Sequence, residues 1–159
     1  MLELKRVLAR AHKILGRKVD LVGMDACLMT MIEVAYQLRD HARVLVGSEE
    51  LEPGAGWPYA TILGDLATRP AMAPAELGAT VVRRYVASYR HGAENATQSA
   101  IDLGQVGDLV EAVALLARRL LAALRAAQGR TLQFFQGLYV DLPHFAVNLE
   151  PRGGPRACR

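Results

Sequence analysis

The sequence predicts an α/β fold, in which helices cover a mainly parallel β-sheet. Segments with helical apolar spacing alternate with short apolar segments, which is the order that strand–helix–strand units require. Residues 18–24 are almost continuously apolar, as expected for a parallel strand that is covered on both faces. Of the 159 residues, 52% are hydrophobic, which is enough for one domain with a buried core.

The helices are predicted from apolar residues that recur with helical spacing. They comprise residues 2–15, 28–38, 59–66, 74–88 and 105–127. The last of these gives the strongest prediction, because its apolar residues form one continuous stripe. Such a stripe is typical of a helix that packs on a sheet.

The strands are predicted from short runs of leucine and β-branched residues between the helices. They comprise residues 18–24, 43–47, 97–103 and 138–142. A loop rich in glycine and proline, SEELEPGAGWPY, follows the second strand. The chain ends in PRGGPRACR, which offers almost nothing to bury, so we predict one domain at 1–149 and a basic disordered tail at 150–159.

Composition and charge exclude several other classes of protein. The formal net charge is only +3, and the basic residues before the tail are interspersed with acids, so no nucleic-acid partner is expected. No apolar run approaches the roughly 20 residues that span a bilayer, so no membrane partner is expected. The N-terminus lacks the apolar core of a signal peptide, so the chain is expected to start inside the cell or to be the later part of a longer chain. Two cysteines cannot build a disulfide framework or a multi-cysteine zinc site.

The stretch VDLVGMDACLMTM joins the end of the first predicted strand to a helical pattern. Ligands of open α/β sheets gather beyond the carboxyl ends of the strands, where Asp25 and Cys27 are predicted to lie. Cys27 is predicted in the first turn of the following helix, whose positive end favours the nucleophilic thiolate. The pattern alone leaves another interpretation open, because a lone cysteine is commonly a small buried residue and an aspartate before a helix is commonly its cap.

The run KVDLVGMDACLMTMIEVAYQLRDHARVLVGSEELEPGAGWPY resembles the centre of the clostripain family of cysteine peptidases. The matching features are a strand ending in Asp-Ala-Cys-Leu-Met, a helix with Glu-Val-Ala-Tyr, a Ser-Glu-Glu segment and a Pro-Gly-x-Gly-Trp-x-Tyr loop. The later SAIDLGQVGDL and YVDLPHFA also look like parts of this family. The resemblance therefore extends over residues 18–145.

The resemblance implies a caspase-like three-layer sandwich, incomplete here on its N-terminal side, that hydrolyses peptide bonds after arginine or lysine. Cys27 matches the nucleophile, which forms an acyl-enzyme, and its backbone N–H is expected to serve the oxyanion hole. Asp25 matches the acid associated with a basic P1 residue, which it would bind as a carboxylate–guanidinium pair. The alternative for Asp25, a helix cap or strand-end turn, stays open.

Residues after the second predicted strand are further candidates for the substrate site. Ser48, Glu49 and Glu50 are expected beside Cys27 if the two strands are neighbours, and there they would form pocket walls. Solvated loop acids are the alternative. Trp57 would either shape the rim of the pocket or pin its loop to the core.

The family places a histidine upstream of the cysteine, in a His-Gly context, and this sequence has no counterpart. His12 lies in the first predicted helix, and neither His41 nor His144 is followed by glycine. His91 is followed by glycine but falls downstream of Cys27. We therefore predict that all four are non-catalytic and that the chain is the nucleophile-bearing part of a peptidase domain. A truncated gene, a separate chain that supplies the histidine, and a non-catalytic remnant remain as explanations.

The expected partners are a peptide or protein substrate with a basic P1 residue and a chain that brings the histidine. The residues indicate no cofactor; the resemblance allows a dependence on calcium, for which the sequence shows no ligand set. A function of another class, an interaction module, would use Arg118 and Arg119 on the last strongly predicted helix. The apolar stripe of that helix favours packing on a sheet instead.

Overall fold

The computed structural model describes residues 2–90 and 96–126, in which helices and strands alternate as predicted. The helices are α1 (Leu2–Leu15), α2 (Ile32–Leu38), α3 (Tyr59–Thr68), α4 (Pro74–Tyr89) and α5 (Val106–Ala126), and the strands are β1 (Val19–Gly23), β2 (Ala42–Gly47) and β3 (Ser99–Asp102). Some predictions fall outside the described residues: the strand at 138–142, the tail at 150–159, His91, His144 and Cys158.

The chain divides into two compact units, whose described parts are residues 2–90 with 96–108, and residues 109–126. The first unit contains β1, β2 and β3, and the second contains most of α5. In the second unit, apolar side chains of α5 keep between 49% and 57% of their surface exposed where the pattern predicted burial: Leu109, Val113, Leu116, Leu120 and Leu121. Among the described helices, none combines the length and the apolar character that crossing a bilayer requires.

The strands of the first unit form one sheet in the order β1–β2–β3. β1 and β2 are parallel, as predicted, with Gly23 opposite Val46, and α2 lies in the crossover between them. β3 instead runs antiparallel to β2, with Ser99 opposite Gly47. The amino end of β3 therefore lies at the same edge of the sheet as the carboxyl ends of β1 and β2.

Helices α3 and α4 cover one face of the sheet. Their buried side chains share one core cluster with β2 and the loop before α3: Val44, Val46, Trp57, Ile62, Val81 and Tyr85. Helix α4 approaches the strands closely because residue 78 is glycine, where a Cβ atom would lie 3.1 Å from Ala100 Cβ and 3.2 Å from Val44 Cγ1. Trp57 thus pins its loop to the core, which is the second of its two predicted roles.

The opposite face of the sheet is also covered. Side chains alternate along a strand, so Leu45 points away from the cluster around Val44, and Leu45 is fully buried. Helix α2 buries Val34, Ala35 and Leu38 and packs against α1, which also contacts β1. The sheet therefore lies between two layers of helices, and the β1 end that precedes Cys27 is fixed within it.

Candidate active site

Cys27 lies in a turn beyond the carboxyl end of β1, and the prediction that it lies in the first turn of a helix is wrong. Residues 27–30 form this turn, and α2 begins only at Ile32. Leu28 has a left-handed φ of 63°, which interrupts the helical path that the apolar spacing had indicated. Helix α2 has seven residues and starts beyond the cysteine, so its dipole cannot be what favours a thiolate at Cys27.

Main-chain hydrogen bonds hold this turn against the segment that follows β2. The N–H of Leu28 donates to the carbonyl of Glu50 at 3.2 Å. The N–H of Thr30 donates to the carbonyl of Ser48 at 3.1 Å. These bonds compete with a helix over residues 28–31, because the amides already have partners in the neighbouring segment. The segments that follow β1 and β2 are therefore hydrogen-bonded to each other beyond the ends of the strands. Cys27 lies in this hydrogen-bonded region.

The sulfur of Cys27 has a hydrogen-bond donor in the loop after β2. Cys27 is half-buried, and its Sγ accepts a bond from the backbone N–H of Glu52, with an N–S distance of 3.2 Å. In the reduced protein, a donor at this position would stabilise a thiolate more than a thiol. An N–H group of the loop that follows β2 therefore takes the role that the sequence analysis had predicted for the positive end of a helix.

Asp25 is held by the same loop. Its Oδ2 accepts hydrogen bonds from the backbone N–H of Trp57 at 3.1 Å and from the hydroxyl of Tyr59 at 2.8 Å. Gly56 permits this approach, because its φ is 67° and a Cβ atom there would lie 2.9 Å from Oδ2. Asp25 remains exposed and does not cap α2, whose N-cap residue is Met31. The loop at 52–59 thus brings Asp25 and Cys27 to one site.

Glu52 is a site residue that the sequence analysis did not single out. It is only 4% exposed, and both of its carboxyl oxygens and the indole Nε1 of Trp57 are buried without a hydrogen-bond partner in the described part of the chain. The carboxyl group faces Asp25 and Trp57 without reaching hydrogen-bonding geometry with either. Burial, reinforced by the carboxylate of Asp25, raises the pKa of Glu52 to about 7, and the indole acts in the opposite direction.

Tyr59 completes the surroundings of Asp25. Burial of its hydroxyl, followed by the bond to Asp25 and the charges of Asp25 and Glu52, raises the pKa of Tyr59 above its ordinary value. The hydroxyl therefore stays protonated at neutral pH and donates to Asp25. No sequence signal distinguished Glu52, because it belongs to a Gly- and Pro-rich stretch whose polar residues are typical of an exposed loop. Tyr59 ends the Pro-Gly-x-Gly-Trp-x-Tyr motif, but the sequence analysis gave it no role.

Ser48 lies at the end of β2 and is fully buried. Its hydroxyl forms a hydrogen bond with that of Thr97 at 2.8 Å and accepts one from the backbone N–H of Glu50 at 3.0 Å. The serine thereby joins the end of β2 to the residues before β3. In this arrangement its side chain supports the strand ends, and its predicted role as a pocket wall stays a prediction.

Glu49 and Glu50 are exposed, and their side chains are not among the described contacts of Asp25 and Cys27. They border a groove of about 600 Å³ together with residues of α2 and of the segment around β3: Met31, Ile32, Glu33, Thr97, Gln98 and Ser99. The groove lies alongside the turn that carries Cys27. Whether these two acids contact a substrate stays a prediction.

Two histidines, His12 and His41, fall within the described residues, and they contact each other with an Nδ1–Nδ1 distance of 3.5 Å. His41 directly precedes β2, at the amino end of the parallel pair, whereas Cys27 follows the carboxyl end of β1. A strand of this length separates the two ends by roughly 15–20 Å. Neither His12 nor His41 is therefore close enough to protonate a leaving group at a carbonyl that Cys27 attacks.

Replacing Glu52 with glutamine is expected to stabilise the chain at alkaline pH. The folded protein keeps the Glu52 proton up to about pH 7, whereas the unfolded chain releases it near the ordinary value of 4.5, so folding takes up a proton between these values. The stability of the wild type therefore falls as the pH rises through this window, by on the order of 2–3 kcal/mol, and glutamine removes the loss. Thermal unfolding at about pH 5 and about pH 8 measures the difference.

The matched control is Glu111→Gln, which removes one exposed glutamate of α5. It is expected to change the melting temperature by the same small amount at both pH values. A Glu52→Gln variant that behaves like this control would show that the carboxyl of Glu52 titrates normally.

The chain belongs to the clostripain family, whose sequence profile matches residues 1–145. Proteins of this family are cysteine proteases and hydrolyse peptide bonds, so the predicted family and the predicted caspase-like α/β fold are both confirmed. Comparison with curated proteins gives no significant match.

Solved structures of cysteine proteases share the fold. A cysteine protease from B. fragilis is 23% identical with a TM-score of 0.56, over 67% of this chain and 44% of that one. A secreted protease of the same family from Bacteroides thetaiotaomicron, in complex with an irreversible peptide inhibitor, is 26% identical with a TM-score of 0.55, over 69% of this chain and 32% of that one. A clostripain from Bacteroides thetaiotaomicron, bound to the peptide inhibitor BTN-VLTK-AOMK, is 25% identical with a TM-score of 0.50, over 67% and 44%. The chain thus spans less than half the length of these proteins.

Proposed function

We propose that this chain carries the nucleophile and the substrate-recognition loop of a cysteine endopeptidase that cleaves after arginine and, less well, after lysine. The observation that carries the proposal is the junction beyond β1, where one loop contacts both the sulfur of Cys27 and the carboxylate of Asp25. A nucleophile and an acid held by the same loop keep a constant spacing. Such a constant spacing is what cleavage next to a bound basic side chain requires.

The chemistry begins with the thiolate of Cys27. It attacks the carbonyl carbon of the scissile peptide, and the resulting tetrahedral intermediate collapses to a thioester as the amine leaves. The leaving amine takes a proton from a general acid. Water then hydrolyses the thioester, releases the new carboxylate and restores the thiol. The N–H of Glu52 at the sulfur supports the first step, because it stabilises the thiolate.

The preference for a basic P1 residue rests on Asp25. Asp25 is exposed, and within residues 2–90 and 96–126 no ion pair neutralises its carboxylate. An uncompensated carboxylate beside the nucleophile attracts a guanidinium or an ammonium, and the planar guanidinium forms two parallel bonds where the ammonium forms one. The inhibitor of the clostripain from Bacteroides thetaiotaomicron ends its peptide, VLTK, in lysine, which is consistent with a basic residue at this place.

Neither His12 nor His41 reaches Cys27, so a histidine that serves as the general acid lies outside the described residues. We propose that a histidine-bearing segment, in a separate chain or in a longer form of this one, completes the catalytic unit. The chain alone is then expected to react with an electrophile at Cys27 without turning over a peptide, because covalent capture needs the thiolate but not the acid.

Covalent labelling tests the proposal. The reduced chain is treated with an arginyl chloromethyl ketone or with iodoacetamide, and adducts at Cys27 and Cys158 are followed by mass spectrometry. The arginyl reagent is expected to label Cys27 faster than Cys158, and an arginyl amide substrate is expected to remain intact. Faster labelling of Cys158 by both reagents would contradict a nucleophilic role for Cys27. Robust amide hydrolysis would show that this chain contains its own general acid.

A further inference from the structure

The buried carboxyl group of Glu52 has no role in the proposed mechanism. A carboxyl group that is 4% exposed, with both oxygens lacking a hydrogen-bond partner among the described residues, costs folding free energy. The cost is greater because a second carboxylate, that of Asp25, lies beside it. A glutamine at this position would avoid the conflict between the two acids. The arrangement therefore points to a use for the second acid.

We infer that Glu52 is a positioning residue of the P1 pocket, which keeps a proton while the pocket is empty and releases it to solvent when a cationic side chain binds Asp25. The inference rests on the proposed function, because it needs a basic P1 residue. Glu52 acts through Asp25 and does not itself contact the substrate, since both of its carboxyl oxygens are buried.

The position of Glu52 connects the two parts of the site. Its backbone N–H donates to the sulfur of Cys27, and its side chain faces the carboxylate of Asp25. Trp57 belongs to the same arrangement, because its backbone N–H binds Asp25 while its buried indole faces Glu52. A change in the charge of Glu52 therefore alters the electrostatic potential at Asp25, which is the proposed acid for the P1 residue.

In the empty pocket, burial and the carboxylate of Asp25, from the turn after β1, favour the neutral form of Glu52. The indole N–H of Trp57, from the same loop as Glu52, favours the ionised form and has the smaller effect. The hydroxyl of Tyr59, from α3, lies within reach of the charge of Glu52 and is a neutral donor to Asp25. No lysine or arginine is among these groups in the described part of the chain. Burial, reinforced by the adjacent carboxylate of Asp25, raises the pKa of Glu52 to about 7, so Glu52 stays neutral below that pH while no cation is bound.

A bound guanidinium reverses this balance. Its positive charge at Asp25 stabilises the ionised form of Glu52, so the proton leaves to solvent and the pocket gains a second negative charge. Below about pH 7 the ligand must displace this proton, and above about pH 7 the proton has already left. The affinity for a cationic ligand is therefore expected to rise with pH through neutrality. A pocket with Asp25 as its only acid would show no such step in this range.

Binding of agmatine, which carries the guanidinium of an arginine side chain, tests the inference on the full chain. Chemical-shift titrations at about pH 6 and about pH 8 give the affinity for the wild type, Glu52→Gln and the exposed control Glu111→Gln. We expect the wild type and the control to bind agmatine about five- to tenfold more tightly at the higher pH. Glu52→Gln is expected to bind with the same affinity at both pH values.

A second measurement, the titration of Glu52 itself, uses only the wild-type chain. In the wild-type chain labelled with ¹³C at the glutamate carboxyls, Glu52 is expected to titrate near neutral pH without agmatine and at a lower pH with it. Titration of Glu52 at its ordinary value would overturn the inference. So would agmatine binding whose affinity in the wild type is the same at both pH values, and that result would leave the basic specificity intact. A complete lack of agmatine binding at both pH values would instead contradict the proposed specificity, and the inference with it.

Discussion

Replacing Cys27 with alanine is expected to abolish labelling by the arginyl chloromethyl ketone, and also peptide hydrolysis once the chain is joined to its histidine-bearing part. The alkylated atom and the attacking atom are both Sγ, so no residual reaction through this site remains. The chain should stay folded, because the substitution removes one atom from a half-buried turn that main-chain bonds hold in place. Adduct mass, amide hydrolysis and thermal unfolding measure the three effects.

Cys158→Ala is the matched control for this variant, since it removes the other cysteine of the sequence. It is expected to leave arginyl labelling unchanged. If Cys158→Ala abolished the labelling while Cys27→Ala retained it, the nucleophile would have been assigned to the wrong cysteine.

Replacing Asp25 with asparagine is expected to lower the rate constant for arginyl reagents, and kcat/KM of the completed enzyme for arginyl substrates, by tenfold or more. A tenfold loss corresponds to about 1.4 kcal/mol of binding to the transition state. Asparagine keeps the shape and one acceptor oxygen for Trp57 and Tyr59, so the loop should keep its position. Only the charge that pairs with the guanidinium is lost. Rates with arginyl and uncharged P1 reagents, measured side by side, separate this effect from a general loss of reactivity.

The control for Asp25→Asn is Asp40→Asn, which removes an exposed carboxylate just before β2, at the opposite end of the sheet. It is expected to leave the preference for arginine unchanged. If Asp25→Asn kept this preference while Glu49→Gln or Glu50→Gln destroyed it, the P1 acid would belong to the groove after β2.

The sequence predicted most of the fold because apolar spacing records which faces of an element are buried. Helix α1 has the predicted bounds, and β1, β2, α3, α4 and α5 differ from their predictions by at most two residues at either end. The direction of β3 could not be predicted in this way, because Ser99–Asp102 is too short to distinguish the continuous apolar run of a buried parallel strand from the alternation of an antiparallel one. The half-exposed stripe of α5 shows the same limit, since apolar spacing does not reveal what covers a helix.

The start of α2 was predicted wrongly for a physical reason that the pattern does not contain. Leu28 and Met31 have helical spacing, yet the amides of Leu28 and Thr30 bond to the segment after β2, and Leu28 takes a left-handed conformation. These bonds join residues about twenty positions apart in the sequence, so local periodicity carries no information about them.

The candidate site was predicted in part. The position of Asp25 and Cys27 beyond a parallel strand follows from topology and was predicted, as was the family. Glu52 was missed because its stretch, LEPGAG, has the composition of an exposed loop, and its burial depends on Trp57 docking in the core. Burial of an acid is a property of tertiary packing, which no local pattern of residues records.

Main-chain hydrogen bonds fix the position of the Cys27 turn, so the number of residues in the turn matters more than the identity of its exposed residues. A bond between backbone atoms does not depend on the side chain, so an exchange at the exposed Met31 is expected to leave the position of the nucleophile unchanged. Leu28 is also exposed, but its left-handed φ of 63° limits exchanges there to residues that adopt this conformation. An insertion or deletion between residues 24 and 30 would instead shift every pair that joins this turn to the segment after β2. The length of this stretch therefore constrains the position of the thiol more tightly than its exposed, non-bonding side chains do, so substitutions of those side chains can alter the rim of the site around a stationary thiol.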